Sequence, residues 1–180
     1  LQSSVADNAG ILAGTVAPAG KILNCHVVDC VVSAPSSAMV GGLVGRCLGA
    51  VTGCSARKTP GATGDQGLVA GGFAVGGVVG GGDGNSAVIA QSWAMVAVGS
   101  ESGQYVGGFA GVLGNAGRIE NCYSRGAVCG SEYVGGFVGQ VNAGTVLNSY
   151  CTGTVQGTIS GGAFVDSVGD AMLISCAYRD

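Results

Sequence analysis

A chain of 180 residues has the length of one domain, and 37 of those residues are glycine. Proline occurs only three times and the glycines follow no three-residue period, which excludes collagen; 47% hydrophobic against 9% charged residues excludes a disordered chain. A net charge of −3, with seven scattered Lys and Arg, excludes an electrostatically driven nucleic-acid binder, and no uncharged run is both long enough and free enough of glycine to cross a membrane as a helix.

Two phrases alternate along the chain. The first is a GGxxG-like phrase that opens at Gly10 (GILAG), Gly41 (GGLVG), Gly71 (GGFAV), Gly107 (GGFAG), Gly135 (GGFVG) and Gly161 (GGAFV). Between these copies lies an aliphatic position: Ile22, Val51, Ile89, Ile119, Val146 and Leu173. Two residues later comes a polar or turn residue: Asn24, Gly53, Gln91, Asn121, Asn148 and Ser175. The next residue is Cys or Ser: Cys25, Cys54, Ser92, Cys122, Ser149 and Cys176. Two phrases in lockstep over six copies mark an internal repeat.

Within each period the strand-like pieces are short and divided by Gly, Asn and Ser, while glycine interrupts every helical candidate. A period of 26 to 36 residues made of three short strands describes one coil of a parallel β-solenoid. The expected fold is therefore all-β, a right-handed parallel β-helix of about six coils over residues 1–180. Paired glycines let one backbone pass close to another and bend the strand. The residue after each pair should form an internal column of Leu12, Leu43, Phe73, Phe109, Phe137 and Ala163. The glycine-rich stretch after Gly71 places the longest loop near Gly80 to Asn85. No GxGxxG opens a helix, so the glycine pairs shape coils and hold no phosphate.

The phrases YVGGFAG and YVGGFVG, followed by GRIENCYSRGAV and GTVLNSYCTGTV, resemble the GLUG motif repeat. The resemblance is strongest over residues 105–160, fair around 20–45 and weak around 46–100. It implies a parallel β-helix on an exported bacterial surface protein, as in adhesin-like proteins and in non-catalytic regions of some IgA-specific metallopeptidases. It implies no activity. A zinc peptidase would need an HExxH helix, and the one histidine of this chain is His26, in NCHVV. The cysteines depart from the family's pattern.

Catalysis has little to stand on. Solenoid hydrolases and lyases need convergent carboxylates, and no acid here shares a strand column with another in an adjacent coil. Asp166 and Asp170 come closest in sequence, and read as a solvated turn. No cofactor or metal is expected, since His26 lacks partners at zinc-ligand spacing. The eight cysteines show no CxxC pair, and the alternatives are disulfides of an exported protein or small buried hydrophobes. Cys25 and Cys54 share a column in neighbouring coils, at a separation compatible with a disulfide; Cys47 with Cys54 is the competing pair.

The column of His26, Ser55, Trp93, Tyr123 and Tyr150 should face outward. Trp93, Tyr123 and Tyr150 are a candidate binding surface for a surface glycan or a host protein, against ordinary cross-strand packing. The remaining expectation concerns the ends. No capping helix is evident at either end, and open strand edges template pairing. The chain should self-associate head to tail, with Leu173 approaching Ile22 and Cys176 approaching Cys25 across the joint, or with the segment Leu1 to Asp7 added as a strand to a neighbour. A filament subunit or adhesin stalk follows, the alternative being a carbohydrate- or protein-binding accessory domain of a larger surface enzyme. Leu1 is not a methionine, which reads as a processed chain or a fragment.

Overall fold

The computed structural model describes residues 7–63, 66–99 and 101–179. These residues form strands and turns with no helix. Each of the first five coils contributes five short strands and the sixth contributes four, and the fourth coil shows the plan: Gln104–Gly107, Ala110–Leu113, Arg118–Glu120, Tyr123–Ser124 and Val128–Gly130. Equivalent strands of successive coils pair in parallel into five sheets, called first to fifth here in the order in which one coil visits them. The first four sheets have six strands and the fifth has five. The fold is a parallel β-solenoid of six coils. The coil is cut into five strands rather than three because two kinds of corner interrupt it.

The first kind is the glycine pair, between the first and second sheets. A Cβ on Gly107 would lie 1.9 Å from the Ala110 carbonyl oxygen, so the chain turns here too tightly for a side chain. A Cβ on Gly108 would lie 2.3 Å from the Gly136 carbonyl oxygen of the next coil. The first glycine makes the corner, and the second lets adjacent corners stack.

The second kind follows the third sheet. Asn24, Gly53, Gln91, Asn121, Asn148 and Ser175 all adopt left-handed backbone, with φ between 47° and 67°. Asn and Gly reach that region at the least cost, which explains the polar or turn residue in every copy. Asn148 Nδ2 donates to Asn121 Oδ1 at 3.4 Å, linking two of these corners.

The core is a set of aliphatic columns. Val51, Ile89, Ile119 and Val146 are fully buried in the third sheet, and Val32, Val69, Val98 and Val128 fill the fifth. The paired registers Ile22↔Val51, Val51↔Ile89, Ile89↔Ile119, Ile119↔Val146 and Val146↔Leu173 reproduce the column read from the sequence. One column needs correcting. Gly41 pairs with Gly76 rather than Gly71, so the glycine pair of the third coil is Gly76–Gly77. Val78 then takes the core place expected for Phe73, which instead is 44% exposed and packs edge-on against Tyr105. Gly71 ends the fifth-sheet strand Leu68–Gly71 of the coil before. In the last coil Gly162 pairs with Gly135, so Phe164 and not Ala163 lies in the column. The phenylalanine stack is therefore Phe109, Phe137 and Phe164, with centroids 4.9 Å apart at each step.

The longest connection also moves. Ten residues separate Ser55–Arg57 from Leu68–Gly71, against five between Val79–Gly82 and Val88–Ala90. The extra glycines after Gly76 belong to a second-sheet strand that needs close backbone approach: a Cβ on Gly80 would meet the Val40 amide nitrogen at 2.4 Å.

Candidate functional site

The cysteine column is a hydrogen-bond ladder. The Cys25 amide donates to Cys54 Sγ at 3.4 Å, the Cys54 amide to Ser92 Oγ at 3.0 Å, the Ser92 amide to Cys122 Sγ at 3.5 Å and the Cys122 amide to Ser149 Oγ at 3.2 Å. Each of these side chains in turn donates to the carbonyl two residues before it, as Ser92 Oγ does to Ala90 at 2.7 Å and Cys122 Sγ to Glu120 at 3.1 Å. Cys and Ser both serve here because the position asks for a small side chain that accepts one hydrogen bond and gives another.

All eight cysteines are free thiols. Cys25 and Cys54, the expected pair, occupy neighbouring rungs and are not joined by a disulfide in this structure. Cys54 Sγ is engaged by the Cys25 amide and itself points at the Thr52 carbonyl, 3.2 Å away. The competing partner, Cys47, turns its thiol to the Gly49 carbonyl at 3.3 Å. Burial pushes the Cys47 thiol up to about 11 and those of Cys122 and Cys151 up to about 12. These thiols are packing groups and not nucleophiles.

The aromatic column lies on the outward side of the fourth sheet, in the register expected: His26↔Ser55↔Trp93↔Tyr123↔Tyr150. His26 Nδ1 lies 2.8 Å from Ser55 Oγ. The rings of Trp93 and Tyr123 stack at 5.8 Å and 4°, and those of Tyr123 and Tyr150 at 5.2 Å and 10°. This geometry limits what the column can do. A pyranose packs on the face of a ring, and here the faces are turned to one another. Arg125 and Arg179 lie over Tyr150, with the guanidinium carbon 5.8 and 5.4 Å from the ring centre. Ring edges and guanidinium groups stand on the solvent side of this sheet, with Val28 and Met95 exposed beside them.

A second aromatic group was hidden in the sequence. Tyr105 and Tyr133 stack at 4.7 Å and 5°, with Phe73 against Tyr105 at 4.8 Å. Both tyrosines have φ near 50°, a conformation rare for such residues. The repeated YVGGF phrase carried the signal, but its tyrosine reads as ordinary strand until the backbone is seen.

The acids have structural partners. Asp29 accepts from the Thr59 amide and hydroxyl at 2.6 and 2.7 Å. Asp83 accepts from Arg46 Nη2 at 2.8 Å and from Asn115 Nδ2 at 2.5 Å, tying three coils together. Glu120 pairs with Arg118 at 2.6 Å, and Asp166 accepts from Ser160 at 3.0 Å. Asp170 is exposed. Among the described residues, no three His, Cys, Asp or Glu side chains gather as a metal site.

Ile22 and Leu173 sit at the two ends of the third-sheet column. Leu173 is 39% exposed where its neighbour Val146 is fully buried, and Leu12 is 41% exposed where Leu43 is fully buried. Of the segment Leu1 to Asp7, residues 1–6 lie outside the described residues.

The fourth and fifth coils carry the clearest copies of both phrases. Residues 102–128 and 130–156 match the GLUG motif. Each GLUG repeat thus spans one coil, with its glycine pair at the corner between the first and second sheets and its aliphatic–Asn–Cys/Ser phrase at the corner after the third. Two matched coils in a parallel β-solenoid fit a repeat-type structural domain. No curated protein and no solved structure matches the chain.

Proposed function

We propose that this chain is a structural, non-enzymatic module of an extracellular bacterial surface protein, whose coils stack end to end in a filament or along an adhesin stalk. One observation carries this reading. Apart from Phe73 and Met95, every exposed large hydrophobic side chain among the described residues lies in 8–34, the first coil, or in 159–179, the last coil and the turn that leads into it. Several belong to inward columns. Among the described residues no coil covers the outer side of Leu12 or Leu173, although both lie in inward columns.

A coil of the same kind is the fitting cover. The first coil offers Leu12, Val16, Ile22 and Cys25, and the last offers Phe164, Val168, Leu173 and Cys176 in the same columns. Stacking one on the other continues the sheets, satisfies the edge amides and carbonyls, and covers side chains that are still part-exposed, such as Leu12 at 41% and Leu173 at 39%, worth below about 1.5 kcal/mol each. The contact is heterologous, so it propagates rather than closes. The GLUG repeats support placement at a bacterial surface, by resemblance to repeats found there.

Sedimentation tests the reading. The chain should polymerise as its concentration rises. Ile22→Lys with Leu173→Lys should stop polymerisation and leave the β-rich circular dichroism intact. A wild-type chain that stays monomeric at high concentration overturns the filament, as does a lysine variant that polymerises like the wild type. An accessory binding domain of a larger surface enzyme would then be the better account.

A further inference from the structure

The cations of this acidic chain are not spread evenly over the solenoid. Two residues beyond the aromatic column runs a second outward column of the fourth sheet: Val28, Arg57, Met95, Arg125, Thr152 and Arg179. The registers Val28↔Arg57, Arg57↔Met95 and Thr152↔Arg179 place its members, and the Arg125 amide bonds the Ala94 carbonyl at 2.9 Å. Arginine therefore stands on the second, fourth and sixth coils. With strands about 4.8 Å apart, the interval is about 9.6 Å, repeated twice along one straight line.

Among the described residues, the strands of this sheet, His26–Val28, Ser55–Arg57, Trp93–Met95, Tyr123–Ser124, Tyr150–Thr152 and Ala177–Arg179, carry no acidic side chain. The ion pairs among the described residues engage Arg46 and Arg118 instead. Asp29, just past the first of these strands, feels the charges of Arg57 and Lys58, but its carboxylate is held by Thr59. The aromatic column supplies the support. The guanidinium of Arg125 lies 5.4 Å from the Tyr123 ring centre, and its Nη2 donates to Tyr150 Oη at 3.1 Å. Arg179 lies over the other side of the same stack. Guanidinium groups held on rings lose less freedom when an anion arrives, and keep their remaining N–H donors for it.

We propose that the outward face of the fourth sheet binds a linear acidic polysaccharide laid along the solenoid axis. Carboxylates or sulfates recurring along the polymer meet the arginine line, and sugar hydroxyls meet the edges of Trp93, Tyr123 and Tyr150. The interval decides between polyanions. Duplex phosphates recur every ~3.4 Å along a strand, too densely for cations about 9.6 Å apart, and the net charge of −3 repels so dense an anion. A polymer charged at every second sugar suits the wider interval. This face is lateral, so the inference does not rest on end-to-end stacking.

The test is titration of the full chain with hyaluronate and chondroitin sulfate, which carry a carboxylate on every second sugar, and with neutral dextran and an oligothymidylate, at about 20 and 300 mM salt. One or both acidic polysaccharides should bind, with affinity falling about tenfold or more between the two salts, and dextran should not. Arg125→Gln should weaken binding about fivefold and Arg57→Gln with Arg125→Gln about 25-fold, while Arg118→Gln on the third sheet leaves it unchanged. Circular dichroism checks that each variant keeps its coils. The proposal fails if neither acidic polysaccharide binds, if dextran binds equally, if Arg118→Gln costs as much as Arg125→Gln, or if the oligothymidylate binds tighter, which would make nucleic acid the occupant.

Discussion

The carbonyl oxygen of Gly136 lies 2.3 Å from the place a Cβ would occupy on Gly108, one coil away. The same relationship links Gly42 to Gly77 and Gly77 to Gly108. The strand spacing is fixed by hydrogen bonds, so the corner cannot open to admit a methyl group. Gly108→Ala should destabilise the solenoid by at least about 3 kcal/mol. Gly114 is the control, since its nearest atom would be 3.7 Å away. Gly114→Ala should be neutral or stabilise by up to about 1 kcal/mol. Urea unfolding compares the two, and equal losses would contradict this account of the glycine pairs.

The Cys/Ser ladder predicts which substitutions the core accepts. Ser92→Ala removes the acceptor of the buried Cys54 amide, at a cost of about 1–3 kcal/mol. Ser92→Cys keeps both the acceptor and the donor, and should cost less than half as much. If alanine and cysteine at this position prove equivalent in unfolding experiments, the rungs are packing contacts only.

Thiol accessibility follows from the same columns. At pH 8 a disulfide reagent should label Cys129, Cys25 and Cys176 first, since they are exposed or half-exposed. Cys47, Cys122 and Cys151 are buried, and a thiol raised to about 12 is thiolate in only about one molecule in ten thousand at that pH. These three should react only after denaturation. Rapid reaction of all eight would mean that the core opens readily.

Acid should loosen the tie between the second, third and fourth coils. Burial opposes the charge of Asp83, but the bonds from Arg46 and Asn115 outweigh it and hold the carboxyl below its usual 3.8. A carboxyl lowered on folding adds stability that is complete above its unfolded value and is lost as pH falls through the folded one. The loss therefore lies below about pH 4. Arg46 and Asp83 side chains are 38% and 23% exposed, so solvent screens the pair and its worth is below about 1 kcal/mol. Arg46→Gln should lower stability at pH 6 by that amount and flatten its decline between pH 4 and 2, as thermal unfolding across pH would show.

The repeat was legible because each coil must put the same residue type at the same height. Ile119 over Val146 and Asn121 over Asn148 follow from spacing alone. The third coil was misread because GGFAVGGVVGGG offers two glycine pairs five residues apart, and only pairing of Val79–Gly82 with Val44–Cys47 chooses between them. That choice sent Phe73 to the surface and moved the long connection to residues 58–67. At the aromatic column the residues were legible and their faces were not. Ring orientation depends on the 4.8 Å neighbour, which a linear sequence does not display. The arginine line was missed for a related reason: Arg57, Arg125 and Arg179 are scattered in sequence and aligned only by the coils.

End-to-end stacking is tested most directly by electron cryo-microscopy of the chain at high concentration. Stacking six coils per molecule predicts filaments with about 4.8 Å between strands and a subunit repeat of about 29 Å along the axis. The filaments should disappear in the chain carrying Ile22→Lys and Leu173→Lys. Monodisperse particles of single-chain mass at the same concentration, or filaments in which the strands do not run perpendicular to the axis, would contradict it.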